Sequence, residues 1–173
     1  MDADYLVKDI PGFTPHIGRL VSMMNYARVT TLHAVRDLSI EQLDCVPAGF
    51  GNSIAALLEH FAAVEFLYQT RTFEHRWIED EDPELIPWLA GLDLGERAKE
   101  IKGKPLTHYL EQLQTIRKAT LEKFRTLDDA WLHQEFDYNE TRKANNHWCW
   151  FHVFEDEINH RGQIRLIRKN LPM

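Results

Sequence analysis

Four stretches of the chain repeat their apolar residues at intervals of three and four, and no stretch alternates convincingly with a period of two. Hairpin turns that contain glycine are also absent. A chain of this kind can bury its apolar surface only by packing helix against helix, so the sequence predicts an all-α fold. The predicted long helices cover about 14–37, 53–73, 105–127 and 147–170.

The segments between these helices are predicted to be long crossovers. Ser39 precedes Gln42 with the spacing of a capping box and predicts a short helical turn after the first helix. The two long connections cover 74–104 and 128–146, and connections of this length usually pack over something or carry function. The prediction is therefore a four-helix bundle with long crossovers, formed by one domain over 1–173 because no composition shift divides the chain.

Charge and hydropathy argue against several classes of partner. The chain has 27 acidic and 20 basic side chains, a net charge of −7, and no basic stripe on a predicted helix. We therefore expect no nucleic-acid binding and no membrane binding. No run approaches the roughly 20 apolar residues that cross a bilayer, and no apolar signal segment opens the chain. With only Cys45 and Cys149, a disulfide framework is excluded, and we expect a cytoplasmic protein.

The last predicted helix carries His152, Asp156 and His160 at four-residue intervals. An α-helix turns about 100° per residue, so the direction of each side chain can be compared with that of its apolar neighbours. Asp156 and His160 fall in the apolar quadrant with Cys149, whereas His152 lies at its border. In the second long helix, His60 also falls on the apolar face. Three polar side chains are therefore predicted to face the interior.

Two interpretations of these inward groups remain open. An unpaired buried carboxylate costs on the order of several kcal/mol, so Asp156 needs a proton, a cationic partner or a metal. In one interpretation Asp156 pairs with His160, and His60 bonds a backbone carbonyl or a tyrosine. In the other the three side chains bind a divalent metal, because two imidazoles and a carboxylate are a ligand set of catalytic zinc and non-haem metal sites.

The segments that carry these residues resemble a known family. FHVFEDEINHRGQIRLIRKNLP is similar to the last helix of the DinB/YfiT-like superfamily, which commonly reads H-x3-H-x3-H-R-G-Q-I. SIAALLEHFAAVEFLY resembles the second helix of that family, and LVSMMNYARVTTLHAVRDLSIEQLD resembles its first helix and the turn after it. The similarity covers nearly the whole chain apart from 74–104.

This resemblance implies a four-helix bundle, commonly a homodimer, that binds a divalent metal. Carried over by position, the metal ligands are His60, Asp156 and His160. Asp156 departs from the histidine of many members, although the related mycothiol-dependent maleylpyruvate isomerases also have a carboxylate there. The expected metal is Zn or Ni, with Mn or Fe as alternatives, and a low-molecular-weight thiol is a possible second cofactor.

Four further residues are candidates to support a ligand or to line a pocket. His152 can orient a ligand or a bound water, or can be a partly exposed residue at the border of the stripe. Glu65 can bond a ligand imidazole, or can be a surface glutamate. Cys149 can add a sulfur ligand, or can be part of the core. Trp148 can line a pocket mouth, or can pack in the core or an interface.

The resemblance implies a metal-dependent enzyme that acts on a small-molecule substrate. The expected reaction is a thiol-dependent transfer or isomerisation, or a hydrolysis. The alternative is a non-enzymatic protein, either metal-stabilised or a stress-induced binding protein, in which the metal joins two helices. No acid–base pair and no nucleophile motif stands out, so catalytic residues stay unassigned.

Overall fold

The computed structural model describes residues 4–172 and contains the four predicted long helices. Their ends lie close to the predicted ones, and the predicted helical bundle is confirmed. Two short α-helices and three 3-10 helices lie in the connections of the described residues. The long helices are α1 (Pro15–Val35), α3 (Ile54–Phe73), α5 (Leu106–Phe124) and α6 (Asn146–Lys169), and the short α-helices are α2 (Ile40–Asp44) and α4 (Leu89–Asp93).

Side-chain caps explain where several helices begin. The Ser53 hydroxyl accepts a hydrogen bond from the Ala56 N–H at 3.1 Å and starts α3. Ser39 and Gln42 form the reciprocal capping box that the sequence predicts, and α2 follows it. Asn145 caps α6 in the same way as Ser53 caps α3. These local hydrogen bonds satisfy backbone N–H groups that the helices leave without partners.

A small hairpin corrects the expectation that strands are absent. Strand β1 (Glu135–Asn139) pairs antiparallel with β2 (Arg142–Asn145) in the 128–146 connection. The turn contains no glycine. Instead, the Asn139 side-chain oxygen accepts hydrogen bonds from the Thr141 N–H at 3.0 Å and from its hydroxyl at 3.1 Å. Strands of five and four residues are too short to show a clear alternation.

The 74–104 connection packs against α3 through α4. Gly91 of α4 lies so close to α3 that an added Cβ would meet Glu59 Cγ and Ala63 Cβ, each at 3.2 Å. Glycine therefore permits the close approach of the two helices at this point. Of the two possibilities expected for a connection of this length, packing over something or carrying function, the structure shows the first.

Apolar side chains fill the bundle in two separate cores. One core, called the lower core, joins α2, the first half of α3, the first half of α5 and the end of α6. The other, called the upper core, joins α1, the second half of α3, the end of α5 and the start of α6. Representative lower-core residues are Leu57, Phe61, Leu113 and Ile164, and upper-core residues are Leu20, Met24, Phe124 and Trp150.

None of the helices in the described part of the chain is long and apolar enough to cross a bilayer.

Between the two cores lies a charged layer of four side chains, one from each long helix: Arg28, Glu65, Arg117 and Glu157. Arg117 Nε donates to Glu65 Oε1 at 2.7 Å, and Arg28 Nε donates to Glu157 Oε1 at 3.0 Å. Arg28 Nη2 also reaches Glu65 Oε2 at 3.4 Å. Both carboxylates are almost completely buried, so each of these charges depends on its partners in the other helices.

Removal of one charge from this layer should destabilise the bundle. Burial raises the pKa of Glu65, but Arg117 and Arg28 hold it below its ordinary value, so the carboxylate is ionised at neutral pH. Glu65→Gln leaves a buried guanidinium without its partner, and we expect a loss of about 3–5 kcal/mol in the free energy of unfolding, measured in urea.

The matched control for this prediction is Glu122→Gln. Glu122 is exposed on α5 and pairs loosely with Lys118 at 3.9 Å, so its substitution should change stability by no more than about 0.5 kcal/mol. Equal effects of the two substitutions would contradict the structural role of the charged layer.

Candidate metal centre

His60 on α3 faces Asp156 and His160 on α6 where the two helices pack together. Each residue offers one ligand atom, and these three atoms lie within 4.8 Å of one another. The four-residue spacing on α6 brings Asp156 and His160 to adjacent turns, and the packing of α3 on α6 adds His60. The structure therefore brings together the three residues selected from the sequence. Metal binding by them stays a prediction.

The tautomer of His60 follows from its contact with the crossover. His60 Nδ1 lies 2.8 Å from the carbonyl oxygen of Gly91. Because a carbonyl only accepts hydrogen bonds, Nδ1 carries a proton, and in the neutral imidazole Nε2 keeps its lone pair. A ring oriented in this way by a backbone carbonyl is typical of metal-binding histidines. Sequence reasoning missed Gly91, although a glycine within the helical stretch LAGLD is a signal of close backbone approach.

Asp156 reaches both imidazoles despite its short side chain. Its Oδ1 lies 3.2 Å from His160 Nε2, and its Oδ2 lies 3.1 Å from His60 Nε2. The distance between Asp156 Oδ2 and His60 Nε2 is that of an ion pair, but Oδ2 is buried and accepts no well-oriented hydrogen bond from the described residues. In neutral His60 the Nε2 lone pair faces a carboxylate oxygen, and a cation or a second proton relieves this repulsion. These donor atoms therefore fit a divalent metal.

The charges of the three side chains affect one another. Burial opposes ionisation of Asp156, but His160 and His60 hold its pKa well below the usual range. Burial also lowers the pKa of His160, and the Asp156 carboxylate more than reverses this, so the pKa of His160 is raised overall. A metal ion that binds at His160 therefore has to displace the proton that the metal-free protein holds there.

His152 and Trp148 lie on α6 one and two turns before Asp156. His152 Nδ1 is 3.1 Å from Glu155 Oε2, and its ring stacks on Trp148 with centroids 5.3 Å apart and planes 6° apart. Trp148 is 41% exposed. Both side chains thus line the surface beside the candidate centre, and neither belongs to the three-residue group.

Glu65 and Cys149 have surroundings that differ from a metal site. Glu65 neither bonds an imidazole nor lies at the surface, because it is buried and accepts hydrogen bonds from Arg117 and Thr120. Cys149 lies in the upper core, where burial raises the pKa of its thiol to about 12. Its sulfur is therefore protonated at neutral pH and stays outside the three-residue group.

The stability provided by Asp156 should depend on pH in the metal-free protein. Its folded pKa lies below the ordinary 3.8, so this stabilisation is present above pH 3.8 and is lost as the pH falls. The folded pKa of His160 lies above the ordinary 6.5, so its contribution is complete below pH 6.5 and is lost as the pH rises through the folded pKa.

We therefore expect Asp156→Asn to lower the free energy of unfolding more at about pH 5.5 than at about pH 8.5. The measurement is urea unfolding in the presence of a chelator, with the exposed Asp37→Asn as control. If Asp156→Asn lowers the free energy of unfolding by the same amount at both pH values, the pairing of Asp156 with protonated His160 is contradicted.

Comparisons with known proteins extend these observations. The model of the mycothiol-S-transferase family matches residues 19–172, a range that includes all three candidate ligands. No curated protein sequence matches the chain significantly. A crystal structure of a conserved protein from Enterococcus faecalis has a TM-score of 0.64 at 15% identity, and the alignment covers 87% of this chain and 93% of that one. That likeness shows the fold alone. The family match shows that the chain belongs to the mycothiol-S-transferase family, one of the DinB/YfiT-like families.

Proposed function

We propose that this protein is a metal-dependent S-transferase that joins the sulfur of a low-molecular-weight thiol to a small electrophilic substrate. The convergence of His60, Asp156 and His160 within 4.8 Å is the observation that carries the proposal. Membership of a family described as mycothiol-S-transferases supports the thiol chemistry. The two imidazoles and the carboxylate suit Zn or Ni, with Mn or Fe as alternatives.

The residues that would hold the metal leave room for a reactant. His60 Nε2, the Asp156 carboxylate and a ring nitrogen of His160 would supply three ligands, as in catalytic sites that keep further positions open. A divalent ion bound there lowers the pKa of a thiol, so that a thiolate is available at neutral pH. The side chains of Asp156 and His160 are each 15% exposed, which gives a small molecule access to the centre.

The protein side chains provide orientation and a route for the proton. In the transfer, the thiol loses its proton, the sulfur forms a bond with the electrophilic carbon, and the leaving group departs with its electron pair. His152 is half-exposed one turn from Asp156, and with Nδ1 bonded to Glu155 its Nε2 is free to accept that proton. The Gly91 carbonyl keeps His60 in the orientation that the centre needs.

A metal and transfer assay tests this proposal. We expect purified protein to bind about one equivalent of Zn or Ni, and His60→Gln to weaken that binding at least about 100-fold, because a direct ligand is lost. His16→Gln, at an exposed position of α1, is the control. The metal-loaded protein should transfer glutathione, bacillithiol or mycothiol to a chromogenic chloroarene.

Protein that binds no metal would contradict the proposal. Protein that gains thermal stability from the metal, but neither binds nor transfers any thiol, would instead support a metal-stabilised binding protein.

We further propose that the protein acts as a homodimer in the cytoplasm. Phe151, Ile158 and Leu166 are exposed apolar side chains on one side of α6. Tyr26 of α1 lies beside Ile158, where the N-terminal segment with exposed Tyr5 crosses the surface. Exposed apolar side chains grouped on one side of a helix are typical of an interface. The free cysteines suit a reducing compartment.

Light scattering after gel filtration tests the dimer. We expect a mass of about twice the 20.4 kDa of one chain, and a shift toward the monomer for Ile158→Lys, because a charge is placed in the apolar surface. Glu122→Lys on α5 should leave the mass unchanged. A monomeric wild-type protein would contradict this proposal.

A further inference from the structure

The line along which α3 and α6 meet continues beyond the candidate metal centre as a row of aromatic rings. On α6, Trp148, His152 and Asp156 follow one another at four-residue steps, so Trp148 lies about 12 Å along the helix axis from Asp156. On α3, the Tyr68 ring meets the His152 ring edge-on, with centroids 5.9 Å apart. We call this surface the α3–α6 seam.

Arg71 stands at the far end of the α3–α6 seam. It follows His60 by about three helical turns, and therefore lies on the same face of α3. The side chains of a helix lean toward its N-terminus, so the guanidinium lies roughly 10–16 Å from the level of His60. A small elongated molecule can span that interval.

The Arg71 guanidinium lies among three aromatic rings, and no carboxylate of the described residues pairs with it. It lies 4.4 Å from the centroid of Trp77, 5.5 Å from that of Tyr138 and 5.9 Å from that of Tyr68. Its Nε is enclosed, and within residues 4–172 it has no hydrogen-bond acceptor. Rings attract a cation but cannot accept its N–H groups as an oxygen does, so this guanidinium retains unused donors.

The local charge also favours an anion. Tyr138 and Trp148 line a cavity of about 400 Å³ beside the hairpin, and Arg142, Lys143 and Glu135 line it with them. Arg71 lies beside Tyr138 and adds a third cation to this region, against Glu135 in the cavity lining and Asp137 opposite Lys143 in the hairpin, so the region keeps an excess of positive charge in a chain whose net charge is −7. A positive surface within an acidic protein attracts an anionic ligand.

We propose that Arg71 recognises a carboxylate of the thiol substrate, and that Trp148 and His152 contact the body of the thiol on its way to the candidate metal centre. This inference rests on the proposed S-transferase function and specifies its substrate class. It assigns to this chain a preference for thiols that carry carboxylates, such as glutathione and bacillithiol, over mycothiol, which has none. A carboxylate matches the fork of a guanidinium and forms strong charge-assisted hydrogen bonds with it.

The decisive probe is S-methylglutathione, which keeps both carboxylates but has no free thiol. Its binding to chelator-treated protein is followed through tryptophan fluorescence and calorimetry, with its dimethyl ester as matched ligand. We expect the acid to bind at least about tenfold more tightly than the ester, and Arg71→Gln to remove that difference. The exposed Arg165→Gln on the distant part of α6 should preserve it.

Equal binding of acid and ester by the wild-type protein would overturn the proposal, as would an unchanged preference in Arg71→Gln. Arg71→Lys keeps the charge without the fork and should retain part of the preference, which provides a test if Arg71→Gln does not fold. Because the probe needs neither a metal nor a thiol, failure of the transfer assay leaves this result interpretable by itself.

Discussion

The charged layer in the middle of the bundle sets the relative heights of the four long helices. Apolar side chains in the two cores can repack after a small shift, whereas Arg28, Glu65, Arg117 and Glu157 lose their partners if one helix slides by a turn. The charges sum to zero, which makes their burial tolerable. The layer therefore selects one alignment among the many that apolar packing alone permits.

The candidate metal centre depends on that alignment. Asp156 directly precedes Glu157 on α6, and His60 lies a little more than one turn before Glu65 on α3. When the charged layer pairs correctly, the three candidate ligands arrive at the same height between the two helices. The charged layer and the candidate ligands thus share a part of the bundle but face different neighbours. The side chains of the layer face the bundle axis, and the candidate ligands face the edge of the α3–α6 seam.

Much of this arrangement could be predicted from the sequence, because helical period and caps are local properties. The phase of His60, Asp156 and His160 follows from the turn angle of a helix and needs no tertiary information. The partners of Glu65 cannot be predicted in this way. The position of Glu65 on its helix gives the direction of its side chain, but not which residues of the other helices it meets. Arginines within the apolar stripes of α1 and α5 were the available signal. The hairpin was missed because side-chain hydrogen bonds of Asn139 replace the expected glycine turn.

The contact of Gly91 with His60 makes the crossover part of the candidate centre without lending it a side chain. A backbone carbonyl is present whatever residue occupies the position, so substitution cannot delete this acceptor and can only move it. Changes elsewhere in the 74–104 connection can therefore adjust the basicity and tilt of the imidazole by small displacements of one peptide plane. Divergence of the least regular segment therefore offers a graded way to adjust the candidate centre while His60, Asp156 and His160 stay the same.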